Sequence, residues 1–284
     1  MTIVTMFFDL TAFPDKTVQT RPPTFYLHHG APVVGLDAPM IVFCDDVTEP
    51  LVRSMRTHPL TTYVNKPLAE YDHFKYRDLI ESNRVKSRGY KTVDRNTVTY
   101  YLMGMFKPVA LQIAARLNPY QSSHFAWVDF GCNHFIRGVS TATELFRNPK
   151  PKVGALYIHY RSHAELEDVR GFMEFGAPCG IASTVYTVEG SYADKYAAAM
   201  FSVFFDLLLK GYGHTDETCM AYCFDRYPEL FTLYHGDYYS VITNYNGVKE
   251  DIDAIKHYFI DQATNKGRSD LAEAALLQLD RFRS

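Results

Sequence analysis

The stretch FAWVDFG, residues 125–131, decides the fold class of this chain. Its apolar and aromatic residues predict a buried strand that ends at Asp129, with Gly131 following two positions later. Side chains two apart in a strand point to the same face, so Trp127 and Asp129 lie on one side. A carboxylate at the carboxyl end of an α/β strand projects into the crevice where ligands bind. Asp and Gly are also ordinary turn residues, so the segment alone allows either a ligand site or a turn.

Further apolar segments predict additional strands, and helical stretches lie between them. The predicted strands are residues 2–8, 40–44, 61–64, 124–129 and 153–159. The predicted helices of this half are residues 24–36, 48–56 and 106–117. Strands that alternate with helices are typical of an α/β fold with a mostly parallel sheet flanked by helices.

The second half of the chain is more helical. A long apolar helix is predicted over residues 190–210, and another over 215–227 with Thr215 as its N-cap. Amphipathic helices are predicted over residues 248–263 and 269–282, which gives the chain a helical C-terminal end. The charged stretch 72–95 is typical of a solvated helical face or of an irregular insertion.

Composition limits the class of partner and the compartment. The formal charge of −3 provides no basic surface for nucleic acid. The five cysteines are odd in number and lie in apolar surroundings, which favours reduced, buried thiols. The N-terminus lacks the features of a signal peptide, and the longest apolar run, residues 196–209, is shorter than the roughly 20 residues that span a bilayer. We therefore expect a soluble, cytoplasmic protein, with room for a peripheral membrane contact.

Carboxylates follow two of the predicted strands. Asp45 and Asp46 come after residues 40–44, and Asp129 ends the strand 124–129. Parallel strands bring their carboxyl ends to one edge of the sheet, where nucleotides and metals bind. Lys107 stands before Pro108 at the predicted start of a helix, a place that suits a phosphate.

Other candidates are weaker. Arg53 and Arg56, on the helix after Asp46, are secondary candidates for binding phosphate, and His235 is either a turn residue or a ligand. The chain has no Gly-x-Gly-x-x-Gly after its first strand and no Gly-Lys-Ser/Thr loop, which argues against a Rossmann dehydrogenase or a P-loop enzyme. It also has no Gly-x-Ser-x-Gly elbow, which argues against an α/β hydrolase.

Taken together, the motifs resemble the bacterial HtrL/YibB family of glycosyltransferases, which are of GT-A type. The resemblance extends from about residue 2 to residue 245. Its most specific part is the Lys-Pro helix followed by Trp-Val-Asp-Phe-Gly. The motifs, in chain order, are TIVTMFFDL, MIVFCDD, MFKPVALQIAARLNP, FAWVDFGCNHF, GAPCGIAST, TDETCMAYCF and LYHGDYYSVITNY.

The resemblance implies one GT-A-like domain. Residues 1–130 would form a nucleotide-binding half, 131–247 an acceptor and catalytic half, and 248–284 the C-terminal helices. The implied activity moves a sugar from a nucleotide-sugar donor to a glycan, a lipid-linked acceptor or another hydroxyl, as in polysaccharide biosynthesis. The alternative is an inactive relative that binds a nucleotide or a glycan.

The resemblance also implies roles for residues on the nucleotide side of the site. Thr5 would line the nucleoside pocket, and Asp45 or Asp46 would contact the base or the ribose. Lys107 would approach the diphosphate, beside Gly131.

The remaining implied roles concern metal and catalysis. Asp129 would take the place of the Asp-x-Asp motif and bind a divalent cation, Mn²⁺ or Mg²⁺. Gly131 stands where a second acid is usual, so His235 would complete the metal site. Asp216 and Glu217 would supply the catalytic base, unless they only cap their helix.

Overall fold

A central sheet of seven strands organises the described residues. The computed structural model describes residues 1–84, 97–175, 180–213, 215–247, 260–261 and 264–280. The strand order is β3-β2-β1-β4-β6-β5-β7, and all neighbouring strands are parallel except that β6 runs antiparallel to β4 and β5. The strands are β1 (Thr2–Met6), β2 (Met40–Cys44), β3 (Thr61–Asn65), β4 (His124–Val128), β5 (Val153–Tyr157), β6 (Val185–Glu189) and β7 (Phe231–His235).

Helices cover both faces of this sheet, which confirms the predicted fold class. Because the central strands are buried on both sides, they are apolar without interruption. In β4, for example, Phe125 and Trp127 join one core cluster while Ala126 and Val128 join the other. The α-helices are α1 (Pro23–Val34), α2 (Glu49–Met55), α3 (Arg77–Arg84), α4 (Val98–Leu117), α5 (Ala142–Leu145), α6 (His163–Glu167), α7 (Val169–Phe175), α8 (Ala193–Leu209), α9 (Asp216–Arg226) and α10 (Ser269–Asp280).

The predicted strands are all present, and two more complete the sheet. β6 and β7 were not predicted as strands. The segment around His235 was expected to be a turn, whereas His235 is the last residue of β7 and the chain turns only after it. β7 pairs with β5, and β5 with β6, so both additional strands extend the sheet beyond β4.

The helix that carries Lys107 begins earlier than predicted. Proline favours the first turn of a helix, yet α4 starts at Val98 and continues through Pro108 to Leu117. Its N-cap is Thr97, whose hydroxyl accepts a hydrogen bond of 3.2 Å from the backbone of Tyr100. The prediction that Lys107 stands at a helix N-terminus is therefore wrong, because α4 packs against α8 and β4 along its length and this burial outweighs one lost backbone hydrogen bond.

The remaining helix predictions agree with the structure where it describes them. Residues 77–84 of the charged stretch form α3, and residues 269–280 form α10. The predicted helix 248–263 lies almost wholly outside the described residues. Within the described ranges, no helix is at once long enough and apolar enough to span a bilayer. Four of the cysteines are described, and all four are free and buried: Cys44, Cys132, Cys219 and Cys223.

Candidate functional site

A cavity of 340 Å³ opens at the carboxyl ends of β1 and β4. Its walls come from α4, the first residues of α9, and the segments that follow β1 and β4. This volume lies within the range of small-molecule sites, which runs from about 300 to 1,000 Å³. The predicted site residues that line the cavity are Lys107, Asp129, Gly131, Asp216 and Glu217.

Lys107 is held between two carboxylates at the base of the cavity. Its Nζ lies 2.9 Å from Asp129 Oδ1 and 2.8 Å from Asp216 Oδ2. It also donates to the carbonyl oxygen of Ser183 at 3.2 Å. Asp129 and the Ser183 carbonyl thus accept hydrogen bonds from the ammonium group, and Asp216 forms an ion pair with it. Lys107 therefore already has protein partners in the absence of a ligand, and it acts as the counterion of these carboxylates.

The charges of Lys107, Asp129 and Asp216 affect the pKa values of Lys107 and Asp129. Burial alone would lower the pKa of Lys107, but the carboxylates of Asp129 and Asp216 raise it well above its usual value. Burial and repulsion from Asp216 raise the pKa of Asp129, against the opposing effect of Lys107 and the indole of Trp127. The Trp127 Nε1 donates to Asp129 Oδ1 at 2.7 Å and so fixes the orientation of the carboxylate.

Glu217 has a different environment from its neighbour Asp216. Its Oε1 accepts a hydrogen bond of 2.5 Å from the hydroxyl of Tyr238, which also contacts Thr184 Oγ1. The ring of Phe135 stacks on Tyr238 and holds it in place. Burial, followed by the negative charge of Asp216, raises the pKa of Glu217 to about 7. A carboxylate with this pKa can exchange protons near neutral pH.

A guanidinium group also lines the cavity. Arg21 lies over the ring of Phe25, with 4.4 Å from its Cζ to the ring centroid, and its Nη1 is 3.1 Å from Nε2 of His134. His134 Nδ1 in turn lies 2.6 Å from the carbonyl oxygen of Gly131, which fixes the proton on Nδ1 and leaves Nε2 as the acceptor. Burial, then Arg21, lowers the pKa of His134, which favours its neutral form. No carboxylate partner of Arg21 occurs among the described contacts.

Gly131 lets the chain pass close to an aromatic wall. A Cβ atom at this position would lie 2.7 Å from Cδ1 of Tyr26, closer than real Cβ contacts allow. Both residues line the cavity. Gly131 therefore shapes the cavity through its lack of a side chain.

Some predicted site residues lie away from the cavity. Thr5 is fully buried in β1, and the residues after it, Met6 to Phe8, line the cavity instead. Asp45 accepts hydrogen bonds from the backbone and the hydroxyl of Thr48, so it orders the turn that leads into α2. Asp46 accepts from the side-chain amide of Asn65 at 2.8 Å.

His235 is also separated from Asp129. Three inter-strand spacings lie between β4 and β7, a distance of roughly 14 Å at the usual strand separation. The His235 Nδ1 is 2.8 Å from the hydroxyl of Tyr160, and burial lowers the pKa of His235 to about 4. The expected pairing of these two residues as metal ligands does not occur, because the order of the strands separates them.

The residues present do not fit a divalent cation at Asp129. Both of its oxygens are within hydrogen-bonding distance of Lys107, and Oδ1 accepts from Trp127 as well. A metal ion here would have to displace an ammonium group that two carboxylates hold. Across the part of the chain that the structure describes, no group of three His, Cys, Asp or Glu side chains is arranged to hold a metal ion.

The arginines behind Asp46 have structural partners. Arg53 forms an ion pair of 2.6 Å with Glu49 on the surface of α2. Arg56 is buried and donates to the carbonyl oxygens of Val34, Leu36 and Ala38. The prediction of these two arginines as phosphate ligands does not agree with those contacts.

Several residues of the cavity could not be found from the sequence. Arg21, for example, lies in a stretch without strand or helix pattern. Ser183 belongs to the GAPCGIAST motif, but the structure uses its backbone carbonyl, which no side-chain pattern reveals. The signal for Tyr238 is its place two residues after Gly236.

Comparison with known families identifies the chain. A family profile described as "Bacterial protein of unknown function (HtrL_YibB)" matches residues 1–246. The chain belongs to the HtrL_YibB family. This confirms the family that the motifs of the sequence resemble. No curated protein matches this HtrL_YibB chain.

Solved structures that are similar to this chain include three enzymes. Mouse xyloside xylosyltransferase 1 in its apo form has a TM-score of 0.38 and 13% identity, over 81% of the HtrL_YibB chain and 83% of its own. The 4-diphosphocytidyl-2C-methyl-D-erythritol synthase of Anaerococcus prevotii has a TM-score of 0.40 and 10% identity, over 89% and 92%. A CMP:2-keto-3-deoxy-manno-octonic acid synthetase, complexed with CTP, has a TM-score of 0.40 and 10% identity, over 83% and 89%.

Proposed function

We propose that this protein is a glycosyltransferase that moves a sugar from a nucleotide-sugar donor to a hydroxyl acceptor, such as a glycan or a lipid-linked sugar. The observation that carries the proposal is Glu217. It faces a cavity at the carboxyl edge of the sheet, it is oriented by Tyr238, and its pKa lies near neutrality. A base with these properties is suited to take the proton of an alcohol.

The chemistry follows from these groups. Glu217 accepts the proton of the acceptor hydroxyl. At the same time the oxygen of that hydroxyl forms a bond to the anomeric carbon of the donor sugar. The bond from that carbon to the diphosphate breaks, and the electron pair leaves with the nucleoside diphosphate. Arg21 also lines the cavity, and because Lys107 is paired with two carboxylates, Arg21 is the cation that would stabilise the charge that develops on the departing phosphate.

Asp216 has a different role in this proposal. Its carboxylate is paired with Lys107, so removing a proton from an acceptor would compete with that ion pair. Asp216 instead holds Lys107 in place and raises the proton affinity of Glu217 by repulsion. Of the two acids at the start of α9, Glu217 is the base.

A donor screen tests the proposal. The purified protein is mixed with a panel of nucleotide sugars and of mono- and oligosaccharide acceptors, and the release of nucleoside diphosphate is measured. We expect turnover with at least one donor, reduced about 10²- to 10⁴-fold in Glu217→Gln. The matched control is Glu229→Gln, an exposed acid beyond the end of α9, which should retain full activity. Binding of a nucleotide with no turnover across the panel would identify instead an inactive nucleotide-binding relative.

A further inference from the structure

The cavity is lined by acidic side chains, although its proposed ligand is an anion. Three carboxylates line it, those of Asp129, Asp216 and Glu217. A nucleoside diphosphate carries several negative charges, so these acids would repel it unless cations intervene. A divalent ion is the usual means to bring acids and phosphates together, but Lys107 already stands between Asp129 and Asp216.

Lys107 is built into this position by its surroundings. It is only 7% exposed, and its ammonium group also donates a hydrogen bond to the Ser183 carbonyl. On its other side, the ring of Trp127 has its centroid 5.8 Å from Nζ, a further favourable contact for a cation. Gly104, one turn earlier on α4, allows Asp216 to approach, because a Cβ there would lie 3.0 Å from Asp216 Oδ1.

The second cation lies where a ligand can reach it. Arg21 is half-buried, lines the cavity, and is oriented by Phe25 and by the acceptor nitrogen of His134. A guanidinium group can donate two parallel hydrogen bonds to a phosphate. Lys107 thus neutralises the acids, and Arg21 presents donors to the anion.

We infer that the cavity binds the diphosphate of its nucleotide ligand without a divalent cation, with the Lys107 ammonium in the position that a metal would occupy between Asp129 and Asp216 and with Arg21 as the phosphate-binding group. This inference rests on the proposed function for the identity of the ligand. Its metal-free character rests on the ion group alone and can be tested without any nucleotide.

The first experiment measures metal binding directly. Mn²⁺ is titrated into the protein, and the free ion is followed by electron paramagnetic resonance. Wild type should bind no Mn²⁺ up to about millimolar concentration, because the ammonium group fills the site. Lys107→Ala leaves two carboxylates around an open space. This variant should gain a Mn²⁺ site whose Kd is at least tenfold below the millimolar limit expected for wild type. Lys107→Met fills that space without charge and should gain less.

The matched control is Lys150→Ala. Lys150 is another partly buried lysine, but its Nζ lies over the rings of Tyr234 and Tyr245, outside the cavity. It should not gain Mn²⁺ affinity. Stoichiometric Mn²⁺ binding by wild type that disappears in Asp129→Asn would overturn the inference, and this outcome needs no lysine variant to be stable.

The second experiment measures nucleotide binding by calorimetry with uridine, guanosine, cytidine and adenosine diphosphates. For any diphosphate that binds, the Kd with excess EDTA should agree within about threefold with the Kd in Mn²⁺. Arg21→Ala should weaken binding at least tenfold in both buffers, whereas Arg53→Ala, on the surface of α2, should not change it. A Kd that rises more than tenfold in EDTA, or that Arg21→Ala leaves unchanged, would overturn the inference while the proposed function stood. If no diphosphate binds to wild type, the proposed function fails, and the Mn²⁺ titration still decides the metal question.

Discussion

At the scale of single residues, the structure separates two adjacent acids by their partners. Asp216 faces Lys107 at 2.8 Å, and Glu217 faces the hydroxyl of Tyr238 at 2.5 Å. The partner of Asp216 is therefore a cation, whereas the partner of Glu217 is a neutral donor, and burial raises the pKa of Glu217 to about 7. Sequence could place both acids in the first turn of a helix, but the identity of each partner depends on tertiary contacts.

Tyr238 should tune the pH profile of the reaction. Its hydrogen bond lowers the pKa of Glu217, against burial and Asp216, which raise it. Activity requires ionised Glu217, so the rate should fall as the pH drops below about 7. In Tyr238→Phe this acid limb should move to higher pH by about half a unit or more. The measurement is kcat/KM against pH, with Tyr239→Phe, a largely exposed neighbour, as the control that leaves the limb in place.

Glu217 should also make stability depend on pH. Its pKa is raised from 4.5 to about 7 on folding, so the folded state holds its proton more tightly than the unfolded state does. The resulting stability is complete below pH 4.5 and is lost as the pH rises through 7. Glu217→Gln should therefore be more stable than wild type at pH 8, by about 1–3 kcal/mol. The two should differ little at pH 4.5; urea unfolding at both values provides the measurement, and equal stability at pH 8 would contradict the assigned environment.

At the scale of elements, buried polar contacts fix how helices meet the sheet. Arg56, the residue after α2, reaches the carbonyl oxygens that end α1 and lead into β2. It also donates to the hydroxyl of Thr61 at the start of β3. One side chain therefore joins four elements on the β3 side of the sheet, far from the cavity.

Loss of Arg56 should destabilise the fold without altering chemistry. Arg56→Met keeps the aliphatic stem but leaves three buried carbonyl groups without their donor, which costs about 2–4 kcal/mol in the free energy of unfolding. Arg53→Ala, three residues earlier, removes an exposed ion pair and a contact with the ring of Tyr63 and should cost less than Arg56→Met, about 1 kcal/mol. Urea unfolding measures both. Equal effects of the two substitutions would mean that the contacts of Arg56 contribute no more than a surface pair.

Most of the strands could be predicted from the sequence, but two strands and one helix boundary could not. The strands up to β5 and the fold class are evident from apolar runs that end in acids or turns. β6 and β7 were missed because VYTVE and FTLYH, although as long as the other strands, follow segments that look like loops. The start of α4 was missed because the β-branched and aromatic residues before Met103 do not favour a helix and Pro108 suggests a beginning. Packing of α4 against α8 stabilises the helix through these residues.

The candidate site could be predicted only in part, because the sequence shows which segments are neighbours along the chain but not the order of the strands. Lys107 and Asp129 could be brought to one region from sequence, since a helix leads into the strand that Asp129 follows. Their direct ion pair could not, nor could the separation of His235, because strand order is a property of the whole sheet. Asp45 looked like a site residue since acids after strands often are, but its carboxylate instead orders the turn that leads from β2 into α2.

At the scale of the whole molecule, ligand binding and folding are linked. A ligand that binds only the folded state stabilises it by about 2.7 kcal/mol at one hundred times its Kd. For a chain of 284 residues that corresponds to roughly 4–5 °C in melting temperature. We expect this shift for the diphosphate that binds tightest, in buffer with EDTA, by differential scanning fluorimetry. Arg21→Ala at the same ligand concentration should show a clearly smaller shift, and a shift that appears only with Mn²⁺ would point to a bound metal.

The antiparallel course of β6 has a consequence for the order of events in folding. Because β6 runs against β4, the residues that enter it, Ser183 and Thr184, arrive at the same edge that Asp129 occupies on leaving β4. The cavity is thus assembled from chain segments that lie more than two hundred residues apart, between Arg21 and Tyr238. Contacts of such long sequence separation form late and slowly. During refolding, helical circular dichroism should recover before the ability to bind a nucleotide does, so the time at which binding returns reports the closure of the sheet.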